Sequence, residues 1–195
     1  INKKIIESRA SIIKAYDPNV DYPRASEVVT LLISIDGDGI EYAEGILKDT
    51  IDVHKNDFAR KYMLAGYQYE LGKFKDAEKV ANDILNSDLQ TVGYHAAELF
   101  AYRPAVANFL AHINANESMK VEDEEEKKAY IKEAKRYREI LFDFVSGDKN
   151  DRHVLDTDGE IAIAEQRYSD AAIILDNAIS RYPDSDISVY RQSAF

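Results

Sequence analysis

Few side chains in this sequence are suited to chemistry. The four histidines, His54, His95, His112 and His153, lie far apart, with no His-x-x-x-His pair and no HExxH. The helical spacing that zinc sites use is therefore missing, and His95 reads as a surface or packing residue. Cysteine is absent, which excludes disulfides, Cys-zinc sites and thiol catalysis. Asp36-Gly37-Asp38-Gly39 starts like a calcium loop. An EF-hand needs an oxygen ligand where Ile40 stands and a glycine where Glu41 stands, so the segment reads as a turn between helices. Carboxylates are abundant, in Glu122 to Glu126 and in Asp156, Asp158 and Glu160. Paired carboxyls do acid–base work only when they flank a pocket, and this spacing reads as solvated helix faces. There is no phosphate loop, no GxGxxG and no nucleophile–base constellation. The expectation is no metal, no cofactor and no catalysis.

Charge narrows the partners. The 195 residues carry a formal net charge of −11, with 45% hydrophobic and 31% charged residues. Nucleic acid and anionic membranes both call for a basic face, so neither is expected as a partner. No apolar run approaches the roughly 20 residues of a membrane span, and no signal-peptide pattern opens the chain. The sequence begins at Ile1, which suggests a processed protein or part of a longer one. The compartment stays open between cytoplasmic and exported.

Low glycine and proline, 8 and 4 residues, favour long helices, and apolar residues recur at helical spacing almost throughout. Ile5, Ile6, Ile12, Ile13 and Tyr16 line a first helix stopped by Asp17-Pro18. Arg24 to Ile35 follows; its β-branched run from Val28 could form a strand, but with no partner strand nearby it reads as helix. Then come Ile40 to His54, Asp57 to Leu71, Lys73 to Asn86 and Thr91 to Tyr102. Pro104 opens another helix to about Asn114, since proline suits a first turn. Val121 to Ser146 reads as one long helix with acids at its start and bases further on, matching the helix dipole. Arg152 to Gln166, Ser169 to Arg181 and the start of a helix at Ile187 complete the chain.

A period of 34 residues is visible. Ile40, Ala43, Leu47 and Ile51 return as Phe74, Ala77, Ala81 and Leu85, and the pattern reappears as Tyr168, Ala171, Leu175, Ala178, Ile179 and Pro183. Two antiparallel helices approach closely only where one carries a small side chain, and the alanine three residues into each second helix supplies it. These residues resemble the tetratricopeptide repeat family. The best match runs through Leu155, Gly159, Ala162, Tyr168, Ala171, Leu175, Ala178, Ile179 and Pro183. A second runs through Leu64, Ala65, Gly72, Phe74, Ala77, Ile84 and Leu85, and Thr30 to Lys55 matches more weakly. The 94 residues between Phe74 and Tyr168 are no multiple of 34, so an irregular unit lies between them. The usual tryptophan is replaced by Lys61 and Leu155, and the register around Gly66 and Tyr69 is shifted by one.

The resemblance implies an all-α, right-handed superhelical α-solenoid of antiparallel helix pairs, one domain over 1–195. Its units lie near 24–56, 57–89, an irregular 90–149 and 150–184. It also implies a concave groove lined by each unit's first helix. There Tyr62 and Tyr69 are seven residues apart on one helix, and His153 and Glu160 seven apart on another, each pair sharing a face. Tyrosine is plentiful, 13 residues beside 7 phenylalanines and no tryptophan, and suits interfaces because its body is apolar and its tip polar. These four residues are the expected partner-binding positions. The Lys, Asn and Arg clamp of chaperone-tail binders is missing: Val28, Leu32, Tyr62, Gly66, His153 and Asp156 stand in its places.

The resulting expectation is a protein–protein interaction scaffold that seats a peptide segment or partner subunit, in a setting such as an envelope assembly or secretion complex. Its alternatives are a peptide-sensing regulatory domain, or a carbohydrate-binding or enzyme-associated helical domain. Both ends look unfinished for a repeat array, which suggests a longer protein or self-association through those ends.

Overall fold

The computed structural model describes residues 2–35 and 39–183. The expected turn at 36–38 and the expected helix from Ile187 lie outside them. The described residues form nine α-helices and no strand: α1 (Asn2–Ala15), α2 (Ala25–Ile35), α3 (Gly39–Val53), α4 (Phe58–Glu70), α5 (Phe74–Leu85), α6 (Ala96–Lys120), α7 (Glu124–Phe144), α8 (Arg152–Ala164) and α9 (Tyr168–Arg181). Short 3₁₀ turns at Tyr22–Arg24 and Gly93–His95 precede α2 and α6. The β-branched run of Val28 to Ile35 is helical, because Val29 and Leu32 are drawn into a core of neighbouring helices. The chain divides into two compact units, Ile1–Leu99 and Phe100–Phe195.

In the first unit, α2 packs on α3, α3 on α4 and α4 on α5. Its core joins Val29 and Leu32 of α2, Ala43, Ile46 and Leu47 of α3 and Leu64 of α4, flanked by Ile12 and Ile13 of α1 and by Tyr16 just after it. Burying each of the large aliphatic side chains contributes about 2 kcal/mol. The Tyr16 hydroxyl pairs with Thr50 Oγ1, tying α1 to the same core. Asp57 caps α4 by accepting from the Arg60 amide at 2.9 Å. The Arg60 guanidinium also pairs with the Asp57 carboxylate and lies 4.5 Å over the Tyr22 ring. Tyr22 in turn packs on His54 at 3.8 Å, so the entry turn of α2 is fixed to the α3–α4 turn. Gly72, at φ 72°, lets the chain reverse from α4 into α5, with the Lys73 amide donating to Gln68 O at 2.8 Å.

In the second unit, α7 packs on α8 and α8 on α9. Ala115 of α6, Ala134 of α7, and Ile161 and Ala164 of α8 form one cluster. Leu155, Leu175 and Ala178 join α8 to α9. Small residues set the spacing: Ala134, Ala162, Ala171 and Ala178 have no exposed surface. Gly159 is the closest approach. A Cβ there would lie 2.6 Å from Leu175 Cδ2 and 2.9 Å from its Cγ.

Two helix boundaries differ from the sequence expectation. Thr91 to Asn114 is not two helices meeting at Pro104; α6 runs unbroken from Ala96 with Pro104 inside it. Proline removes one donor and crowds the carbonyl four residues before it. Burial of Leu99, Val106, Ala107, Leu110 and Ala111 along the same helix outweighs that cost. Similarly, α7 starts only at Glu124, because Asp123 serves as its N-cap and accepts from the Glu126 amide at 2.8 Å. Glu124, Glu125 and Glu126 are its exposed first turn, where acids suit the dipole.

Candidate functional site

Each unit contains one place where polar groups converge. In the first unit it is an open cleft of about 730 Å³ along α3, α4 and α5. The α4 face that lines it repeats at helical spacing: Lys61, Leu64 and Gln68. Ile51, Leu64 and Val80 supply its apolar lining, and Lys48, Lys61, Lys79, Asp52, Asp76 and Asp83 its charged lining. Lys61, only 9% exposed, reaches Asp83 at 2.6 Å. Gln68 is 2% exposed and donates through Nε2 to Glu44 at 3.3 Å.

Behind the cleft lies Glu44, itself 4% exposed. Lys48 approaches it at 2.6 Å, and Lys73 donates to its other oxygen. Burial pushes this carboxyl up, but the hydrogen bonds from Lys48, Lys73 and Gln68 prevail and hold it at about 2. The chain therefore keeps a buried, fully charged carboxylate here because cations surround it.

The second unit holds a polar seam between α6 and α8. Asn108 and His112 lie one turn apart on α6, as do Asp156 and Glu160 on α8. Asp156 is 8% and Glu160 4% exposed. Asn108 Nδ2 donates to Asp156 Oδ2 at 3.0 Å, and its own carbonyl accepts from the Thr157 hydroxyl. Asp156 Oδ1 has no hydrogen-bond partner. His112 Nδ1 stands 3.7 Å from Glu160 Oε2, and Asn116 Nδ2 lies 2.8 Å from His112 Nε2. An amide N–H pointing at Nε2 leaves the ring hydrogen on Nδ1, facing Glu160. Burial, with like-charge repulsion from Asp156 added, lifts Glu160 to about 8. Burial likewise lowers His112 to about 4, and raises Asp156 against the opposing pull of Asn108 and Arg152. His153, half-buried on the same face of α8, is also lowered, by burial and by Arg152. None of these residues lines the α3–α4–α5 cleft or any of four smaller clefts.

The four expected partner-binding residues thus fall into two units. Tyr62 and Tyr69 are half-buried on α4, about a quarter-turn from the face that lines the cleft. His153 and Glu160 share a face of α8, where Glu160 is enclosed by the seam. The reading of Asp156 and Glu160 as a solvated face is overturned by their burial. Asp158, between them, points the other way and pairs with Arg138 at 2.7 and 2.9 Å. A signal was present in the sequence: Val154, Leu155, Ile161 and Ala162 surround these acids, leaving α8 too apolar to expose a full polar face. His95 is a packing residue paired with Glu98 at 3.2 Å.

Among the described residues no group of three or more His, Cys, Asp or Glu side chains could hold a metal ion, and no helix is long and apolar enough to cross a membrane. No family model matches this chain, and neither a curated protein nor a solved structure matches it.

Proposed function

We propose that this chain is a non-catalytic protein-binding module, a solenoid of antiparallel helix pairs of the tetratricopeptide kind, that seats a short peptide segment of a partner protein in the α3–α4–α5 cleft. One observation carries this reading: the cleft is lined by the apolar Ile51, Leu64 and Val80 together with charged residues of both signs. The apolar residues offer burial, and the charged ones offer charge-assisted hydrogen bonds that fix register. From Asp76 to Asn86 the α5 wall is about 15 Å long, room for about four or five extended residues. Lys79 is exposed and makes no ion pair within the described residues, so the fitting segment places an acidic side chain beside an apolar one. The non-catalytic half of the reading is supported by the location of Glu160 and His112, strongly displaced groups that line none of the five clefts. The repeat reading is supported by the neighbouring helix pairs α2–α3, α4–α5 and α8–α9.

The test is selection of random twelve-residue peptides on the full chain, followed by titration of the enriched sequences. The expected consensus pairs an acidic with an apolar residue. Lys79→Glu, at an exposed position, should weaken the selected peptides at least tenfold with the helical circular dichroism unchanged. Selected peptides that bind Lys79→Glu as well as they bind the parent would sink the cleft. Loss of binding in a Tyr62→Ala/Tyr69→Ala variant alone would move the site to the tyrosine face of α4.

A further inference from the structure

We propose that the α6–α8 seam is a proton-held latch: α8 stays packed on α6 while Glu160 carries a proton, and alkaline pH charges that carboxyl and opens the seam. Glu160 is 4% exposed, and a cation within bonding distance would be needed to keep its charge. The group facing it from α6 is His112, at 3.7 Å, too long for a hydrogen bond. That imidazole is held uncharged, first by its burial and also by the Asn116 amide beside Nε2, which a second ring proton would oppose. On α8 itself the neighbour is Asp156, a like charge one turn away. Arg152, at the start of α8, acts on Asp156 and His153.

On α7, Arg138 forks onto Asp158, Lys135 pairs with Glu165 and Arg136 with Glu133, while Arg167, the N-cap residue of α9, binds Glu165 and Asp170. Asp158 and Glu165 lie on the opposite side of α8 from Glu160 by helical spacing. Of the two seam carboxyls, Asp156 is the one given a donor, by Asn108 at 3.0 Å. The proton therefore resides on Glu160, and Asp156 takes the charge.

The direction with pH follows. A carboxyl at about 8 when folded, against an ordinary 4.5, stabilises the seam fully below 4.5 and loses that support as pH rises through about 8. His112, at about 4 against an ordinary 6.5, acts in the opposite sense and only below about 6.5. Between pH 6 and pH 9 Glu160 should lower protection of the seam roughly a hundredfold, and His112 should restore a few-fold of it, a net loss on the order of twentyfold.

Amide hydrogen exchange on the full chain reads this directly, as protection factors normalised for base catalysis. Protection over Val154 to Ala162 should fall by about that net factor from pH 6 to pH 9. In Glu160→Gln, a neutral isostere, it should stay level or rise slightly. Flat protection in the parent, or an equal fall in both proteins, overturns the latch. Should Glu160→Gln fail to fold, carbon-13 detection of the Glu160 carboxyl in the parent decides instead. A midpoint above 7 supports the latch, and one near 4.5 overturns it. Neither readout involves the cleft or its peptide.

Discussion

Glu44 and Glu160 have the same side chain and the same 4% exposure, and each sits inside a helix. Each also has a charged residue one turn away. For Glu44 it is Lys48, and for Glu160 it is Asp156. That one difference in spacing partner, reinforced by Lys73 on one side and by a neutral imidazole on the other, sends the two carboxyls in opposite directions, to about 2 and about 8. Burial alone does not determine what an acid does; the sign of what is buried with it does. The first unit therefore keeps a buried carboxylate charged among cations, whereas the second keeps charge off Glu160 and leaves it to Asp156.

The most forceful way to break this comparison is to turn the first site into the second. Lys48→Met with Lys73→Met keeps most of the apolar stems but leaves Glu44 with Gln68 alone. The double variant should lose about 4 kcal/mol at neutral pH, the cost of stranding a buried charge. It should regain part of that loss below pH 5, as Glu44 takes up a proton. Denaturant unfolding at pH 7 and pH 4.5 measures both numbers. A loss under about 1 kcal/mol, the size of a surface pair, would mean that water already reaches Glu44.

A smaller effect separates the units by acid. Glu44, held at about 2 against an ordinary 4.5, contributes stability that is present above 4.5 and disappears as pH falls toward 2. The amount is on the order of 3 kcal/mol. In the second unit His112, at about 4, costs stability as pH falls below 6.5, but Glu160, at about 8, gains nearly as much over the same range, so the two offset each other. Protection factors taken between pH 6.5 and pH 3 should therefore fall over α3 and α4 before they fall over α8. Simultaneous loss in both would show that the two units unfold as one body and that these groups do not set the order.

The helices were readable because their apolar periodicity, caps and stops are local. Asp57, Gly72 and Gly147 mark helix ends in the sequence and lie at helix ends in the structure. Pro104 was misread because its local preference for a first turn was overridden by the burial of a helix on both sides of it. The sites were less readable because they depend on which helices meet. Asp156 and Glu160 look like the acids of any solvated face until Asn108 and His112, about 48 residues earlier, are placed against them. Likewise, Lys61 and Gln68 are buried only because α5 and α3 close over them. Tyr62 and Tyr69 were singled out by residue type and by family register, neither of which indicates which face of α4 borders a cleft.

The smallest predicted effect asks what holds α8 in place. Gly159 is on the α9 side of α8, directly against Leu175, while Glu160 lies on the α6 side. In Gly159→Ala the new Cβ would come within 2.6 Å of Leu175 Cδ2, so either the leucine turns away or α8 shifts toward α6. The contact is with the end of a flexible side chain, and α8 is bounded on its other face by the close-fitting Asn108–Asp156–Thr157 hydrogen bonds. Leu175 should therefore yield, at a cost of about 1–2 kcal/mol from overpacking, partly offset by the better helix propensity of alanine. The Glu160 carboxyl should then titrate where it does in the parent, because its surroundings have not moved. If its midpoint falls toward the ordinary glutamate range while stability drops by the same amount, α8 has shifted and water has entered the seam. The comparison between the two glutamates would then depend on a single methyl group on the far side of the helix, and the seam would be held by packing from α9 rather than by its own hydrogen bonds.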